Sequence, residues 1–213
     1  MEKPLRPLGV RITPEIEDML RSAHSKRYAA KSLIMREGEE SLALFYILDG
    51  SVTVLMEDED GDEIILAYLG PGEFFGELGL FGGESRSAWV RARSDTEVAV
   101  ITYDRFQEMC RAVPELLMQL AGQIAARLRE TSRKVGDLAF LDVTGRVAHA
   151  LLNLTNDSES MTHPDGWLVR ITREELGRLV SCSREMAGKV LKDLEDQGLI
   201  RVDGKNIVVY GTR

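Results

Sequence analysis

The chain has 213 residues, 44% of them hydrophobic, and a formal net charge of −8. That length allows one large domain or two small ones, and the charge excludes a protein that coats nucleic acid by bulk attraction. No apolar run approaches the roughly 18 residues of a membrane span, Met1–Val10 lacks the apolar core of a signal peptide, and two cysteines, Cys110 and Cys182, fit a cytoplasmic chain without a disulfide framework or a four-thiolate cluster.

The charge is unevenly placed. Residues 1–112 carry 13 Lys and Arg against 21 Asp and Glu, and the remainder balances. Val169–Lys192 holds six basic and three acidic residues, so any contact with DNA must come from that patch.

Gly38, Gly50, Gly61 and Gly72 recur about every 11 residues in the N-terminal half. Between and after them lie Leu44–Leu48, Ser51–Leu55, Ile64–Leu69 and Ala88–Ala92. Short runs at this spacing predict an all-β barrel or sandwich. The acidic run Glu57–Glu63 sits at one turn, with Asp60-Gly61 suited to a hairpin tip.

Gly76-Glu77-Leu78-Gly79-Leu80-Phe81, followed by Arg86-Ser87-Ala88, is the stretch richest in chemistry. Backbone amides of a glycine turn together with Arg86 can hold a phosphate, and Glu77 can accept from a diol. The plainer alternative is a surface turn with a Glu77–Arg86 salt bridge.

After Pro114 the period changes. Leu117, Ile124, Thr131 and Leu138 are spaced by sevens, as are Ala121, Leu128 and Val135. This a/d pattern predicts a long helix pairing with a second copy, or a buried helix within one subunit. Thr131 is a polar residue in that seam, beside Ser132. The pair either fixes register or contacts something else held there. Asp142–Asn156 reads as another amphipathic helix, followed by a polar loop with Pro164, Asp165 and Gly166.

In the last third, Ile171–Leu176 opens a helix with a capping box of Thr172 and Glu175. Ser181-Cys182 breaks it, and Ser183 caps a second helix running to about Asp196, with Gly198 as its terminator. Two helices across a tight turn read as a helix-turn-helix. Arg184, Glu185, Gly188, Lys189 and Lys192 lie on the outer face of the second helix. Arg184 suits guanine and Glu185 suits cytosine in a major groove. Leu199–Val202 and Asn206–Tyr210 around Asp203-Gly204-Lys205 predict a hairpin, hence a winged helix.

With these motifs the chain resembles the cyclic-AMP receptor protein group of the CRP/FNR bacterial transcription regulators. The resemblance runs from about Leu20 to Arg213. It is most specific in Gly76–Ala92, Thr131–Arg146, Met161–Gly166, Ser181–Glu185 and the terminal VVYGTR. It implies an α+β protein: a variable segment 1–19, a cyclic-nucleotide-binding β-roll 20–112, a dimerisation helix 113–141 and a winged helix-turn-helix DNA-binding domain 142–213. It implies cyclic AMP as the ligand, with Gly76, Glu77 and Leu78 as the cassette turn and Glu77 on the ribose. Arg86 and Ser87 would hold the cyclic phosphate, and Thr131 and the partner subunit's Ser132 would meet the adenine. Arg184, Glu185 and Lys189 match base-reading positions; Thr172, Arg173, Ser183 and Lys192 match positions near phosphates.

The implied function is a cytoplasmic, homodimeric regulator switched by cyclic AMP on a pseudo-palindromic TGTGA-type operator of double-stranded DNA. RNA polymerase is the implied partner. Thr162, His163 and Pro164 match a loop that touches its α subunit, His24, Lys26 and Arg105 partly match a second surface, and Asp58–Glu63 resembles a third, facing sigma. The alternative is the same DNA binder controlled by cyclic GMP or cyclic di-GMP, or constitutive. Paired carboxylates, metal-ligand clusters and a nucleophile beside a base are not evident, so an enzyme is disfavoured. With His24, His149 and His163 as the three histidines and no clustered cysteines, haem or oxygen sensing is disfavoured too.

Three departures stand out. Lys189 replaces the usual arginine and loses its planar fork. Phe81–Ser85 is shorter than in relatives. Asp62 and Glu174 replace a lysine and a glutamine of a second, weaker nucleotide site, so that site is not expected.

Overall fold

The computed structural model describes residues 20, 23–83, 85–157 and 159–211. The variable segment 1–19, Glu84 of the shortened loop and the last two residues of the terminal motif lie outside them. The chain forms two compact units, one comprising residues up to Met56 with Leu66–Thr131, the other Glu57–Ile65 with Ser132 onward.

Two antiparallel four-stranded sheets make up the N-terminal half and belong to the first unit, except for the hairpin end at residues 57–65, which belongs to the second. One has β1 (His24–Tyr28), β8 (Thr96–Thr102), β3 (Ala43–Asp49) and β6 (Phe74–Phe75) in that order. The other has β2 (Leu33–Met35), β7 (Trp89–Ala92), β4 (Val52–Glu57) and β5 (Glu63–Leu69). The four glycines of the repeat all take φ between +80° and +90°, a turn geometry that side chains disfavour. The Asp58–Asp62 turn is tied by its own carboxylate: Asp58 Oδ1 accepts from the amides of Asp60 and Asp62. Phe45 stacks on Phe75 at 4.9 Å, and Phe74 meets Phe106 edge-on at 5.7 Å, so the short β6 is anchored in the core through both its rings.

Helix α1 (Tyr103–Ala112) begins at Thr102, whose hydroxyl accepts from the Arg105 amide. Helix α2 (Glu115–Phe140) buries Leu116 and Leu120 in the same core as Phe74 and Phe106, with Ile124 packed against it. Its seam residues Leu117, Leu128, Val135 and Leu138 are 44–67% exposed, a row that one protomer leaves uncovered.

In the second unit, α3 (Val143–Leu154) is capped by Asp142 and buries Val147, Ala150, Leu151 and Leu154. Strands β9 (Met161–His163) and β10 (Gly166–Arg170) follow, then α4 (Arg173–Val180), α5 (Arg184–Asp196), β11 (Ile200–Asp203) and β12 (Asn206–Tyr210). The sheet order is β11-β12-β10-β9. The expected polar loop with Pro164, Asp165 and Gly166 is the turn of a β9–β10 hairpin, with Pro164 and Asp165 at its tip. Backbone pairing of Gly166–Arg170 with β12 recruits it, which local composition does not record. Thr172 accepts from the Glu175 amide as the capping box requires. α5 ends in a full Schellman motif, with Gly198 at φ +70° and the Leu199 amide on the Leu194 carbonyl.

Candidate functional site

β6 leads directly into the turn Gly76-Glu77, and Leu78–Phe81 continues as a 3-10 turn. Gly76 has φ +72°, and a Cβ there would lie 2.7 Å from the Arg86 guanidinium. Glycine at this position thus lets the arginine lie against the backbone. Arg86 is buried, with Nη1 3.0 Å from the Gly76 carbonyl and 3.3 Å from the Tyr103 hydroxyl. The ring of Phe45 lies 5.6 Å beneath it. Its backbone is held from both sides, its amide on the Glu39 carbonyl and its carbonyl on the Gly38 amide. These partners among the described residues are neutral, so a buried cation remains available to an anion. Ser87 follows with an exposed side chain, and Leu78 is exposed at the rim.

Glu77 is buried too, 6% exposed, but its partner is not Arg86. Arg127 of α2 reaches it at 3.1 Å, reaches Glu73 at 3.7 Å and donates to the Phe74 carbonyl. The Glu77–Arg86 salt bridge of the plainer sequence reading is thereby replaced. The geometric reason is that Arg86 Nη1 is turned to the Gly76 carbonyl and the Tyr103 hydroxyl, while the Glu77 carboxylate faces Arg127 of the helix.

Arg127, Gln123 and Tyr103 were not singled out by sequence. A signal existed: Gln123, Arg127 and Thr131 form a polar line at i, i+4, i+8 along an amphipathic helix. Thr131 and Ser132 are exposed on α2.

In the second unit, Arg184, Glu185, Lys189 and Lys192 of α5 are exposed, as are Thr172, Arg173 and the cap Ser183. Ser183 accepts from the Met186 amide. The bend before α5 is held by close packing: Ser181 sits at φ +55°, and a Cβ on Gly177 would come 2.5 Å from the Cys182 carbonyl. Arg146 fastens the same bend from α3, donating to the carbonyls of Val180, Ser181 and Leu141. Glu174 is engaged by Arg178, which also meets Glu63 at 2.5 Å. Burial alone would lower the Arg178 pKa, but the Glu174 hydrogen bond and the charges of Glu63, Glu174 and Glu175 outweigh it and raise it.

His24 and Lys26 are exposed on β1, and Arg105 lies in the first turn of α1, ion-paired to Glu108. His163, at the end of β9, accepts from the Asp165 amide. Among the described residues no helix is long and apolar enough to cross a membrane, and no cluster of His, Cys, Asp and Glu could hold a metal.

A sheet pair carrying a buried anion-ready arginine, joined to a helix-turn-helix with an exposed basic face, defines a ligand-binding DNA-binding regulator. Residues 25–113 match the family model of the cyclic nucleotide-binding domain, and residues 145–210 that of the Crp-like helix-turn-helix domain. The cAMP-activated global transcriptional regulator Vfr of Pseudomonas aeruginosa is 55% identical over 202 residues, covering 93% of this chain and 94% of that protein. The cAMP-activated global transcriptional regulator CRP of Salmonella typhimurium is 54% identical over 201 residues, covering 94% and 96%. The solved structure of the c-di-GMP responsive global regulator CLP of Xanthomonas campestris aligns with a TM-score of 0.84 at 42% identity, covering 92% of this chain and 98% of that one. The chain belongs to the CRP/FNR family of transcription regulators. Its relatives are regulators and not enzymes.

Proposed function

We propose that this protein is a cytoplasmic, cyclic-AMP-responsive homodimer that binds a pseudo-palindromic operator and contacts RNA polymerase. The observation that carries the reading is the buried Arg86 guanidinium, set against the Gly76 carbonyl beside the buried carboxylate of Glu77. One group suits a cyclic phosphate and the other a ribose hydroxyl, at adjoining places on one turn. Gly76, Leu78 and Ser87 complete that end with backbone and hydroxyl groups. Thr131 and the partner subunit's Ser132 supply the base end.

The division of labour follows the four segments expected from sequence: 1–19 variable, 20–112 for ligand, 113–141 for dimerisation and 142–213 for DNA. The exposed seam of α2 supports pairing of two copies, since Leu128 and Val135 are more than 60% exposed without one. A ligand at that seam favours one arrangement of the two helices and so sets the spacing of the two α5 helices, one DNA turn apart. Arg184, Glu185 and Lys189 read bases; Thr172, Arg173, Ser183 and Lys192 hold phosphates. The surfaces at Thr162–Pro164, at His24, Lys26 and Arg105, and at Asp58–Glu63 face the polymerase α subunit and sigma.

The test is a titration of a TGTGA-type duplex with and without cyclic AMP. Tighter binding with the nucleotide is expected, and equal affinity sinks the switch. A second reading, cyclic di-GMP as the signal, draws on the similarity to CLP. Calorimetry with cyclic AMP, cyclic GMP and cyclic di-GMP separates the three. Heat with cyclic AMP is the expected outcome, because Arg86 and Glu77 suit one phosphate and one ribose.

A further inference from the structure

β6 is two residues long and lies at the edge of its sheet, next to β3. The outer backbone groups of an edge strand need partners wherever water is kept away. Here side chains of α2 supply them. The Phe74 amide donates to Gln123 Oε1 at 2.9 Å, and Gln123 Nε2 donates to the Gly72 carbonyl at 2.8 Å. One helical turn on, Arg127 donates to the Phe74 carbonyl. A glutamine amide offers an acceptor and a donor side by side, as a peptide group of a neighbouring strand does. The helix thus stands in for a missing strand. The segment it grips runs on into Gly76 and Glu77.

The two grips differ in kind. Arg127 is charged and faces Glu77 and Glu73 as well. An anion entering the site redistributes that set. Gln123 is neutral and both its hydrogen bonds go to backbone, so its hold does not depend on ligand charge.

We infer that Gln123 is a positioning residue for the nucleotide site. It fixes Gly72–Phe74 against α2, keeps the turn at Gly76-Glu77 in its binding geometry, and passes displacements of that turn to the long helix. The inference rests on the nucleotide-switch reading above. A merely structural Gln123 adds to stability alone. A positioning Gln123 sets ligand affinity and the response to ligand.

The test uses full-length Gln123→Leu and Gln123→Glu. Each is titrated with cyclic AMP, then with the TGTGA-type duplex in the presence and absence of the nucleotide, and melted without ligand. Leucine removes both hydrogen bonds; glutamate keeps the acceptor for Phe74 and loses the donor to Gly72. Gln123→Leu is expected to bind cyclic AMP about tenfold more weakly. Its ratio of operator affinities with and without nucleotide is expected to shrink, with Gln123→Glu between it and the wild type. Wild-type affinity and wild-type ratio in Gln123→Leu overturn the inference, whatever its melting temperature. If Gln123→Leu does not fold, Gln123→Glu decides: unchanged affinity and ratio overturn it, and reduced values support it. A wild type that gives no signal with cyclic AMP sinks the nucleotide reading, and the inference with it.

Discussion

The Arg127 guanidinium lies 3.1 Å from the Glu77 carboxylate and ties the long helix to the turn at Gly76. Glu77 is 6% exposed, so its carboxylate takes this protein partner in place of water. Arg127→Leu leaves a buried carboxylate without it. Breaking a fully buried pair costs about 3–5 kcal/mol. The Arg127 side chain is 23% exposed, so a lower cost of about 1–3 kcal/mol is expected. Thermal or urea unfolding measures it. The double variant Arg127→Leu with Glu77→Gln is expected to recover much of that stability without recovering nucleotide affinity. Recovery of both would remove Glu77 and Arg127 from the site.

The face of α5 makes a prediction that salt can sort. If Lys192 holds a phosphate as proposed, Lys192→Ala is expected to weaken binding by a similar factor on every duplex and to lower the salt slope by about one. Arg184→Ala is expected to cost about 1–3 kcal/mol on the cognate duplex and to relax discrimination at one base pair. Fluorescence anisotropy on matched and mutated duplexes at several salt concentrations distinguishes the two. Loss of affinity in Arg184→Ala that is equal on all sequences would make Arg184 a phosphate contact.

Much of this was legible in the sequence because the signals were local. The glycine repeat predicted turns that all take positive φ, and Thr172, Ser183 and Gly198 sit where caps were read. β1, β2, β6, β8, β9 and β10 were not read. β1 is charged and mostly exposed, and β9 is three residues long, so neither carries an alternating pattern. β8 does carry Val98, Val100 and Ile101, but it lies centrally between β1 and β3, and that pairing is set by distant residues. The site was half legible. Glycines and Arg86 marked the turn proposed to hold the ligand, whereas Arg127 and Gln123 act across about 50 residues of chain, and only packing of α2 against β6 brings them there.

The bend between α4 and α5 should be intolerant of one methyl group. A Cβ at Gly177 meets the Cys182 carbonyl at 2.5 Å, and backbone cannot turn aside as a side-chain tip can. Gly177→Ala is expected to destabilise by about 1–3 kcal/mol, the range for overpacking, and to weaken DNA binding. Gly136→Ala in α2 is the control, since nothing lies within 4 Å of its Cβ and alanine is the better helix former. A Gly177→Ala melting curve matching that of Gly136→Ala would mean that the bend can open.

Cys182 lies in the same bend, and burial raises its thiol pKa; the Arg146 charge and a hydrogen bond from the Ala187 amide oppose this more weakly. The folded chain therefore holds the thiol proton more tightly than the unfolded chain does. The stability this contributes is full below the unfolded pKa and is lost as pH rises through the folded one. At neutral pH the thiolate fraction is small, so iodoacetamide should modify Cys182 more slowly than free cysteine. The rate should keep climbing at alkaline pH where that of free cysteine has levelled off. Peptide mapping separates Cys182 from Cys110, whose thiol burial also raises. Because Cys182 precedes the cap of α5, duplex DNA should slow its modification further. Alkylation at neutral pH as fast as that of free cysteine would mean that the bend is open in solution.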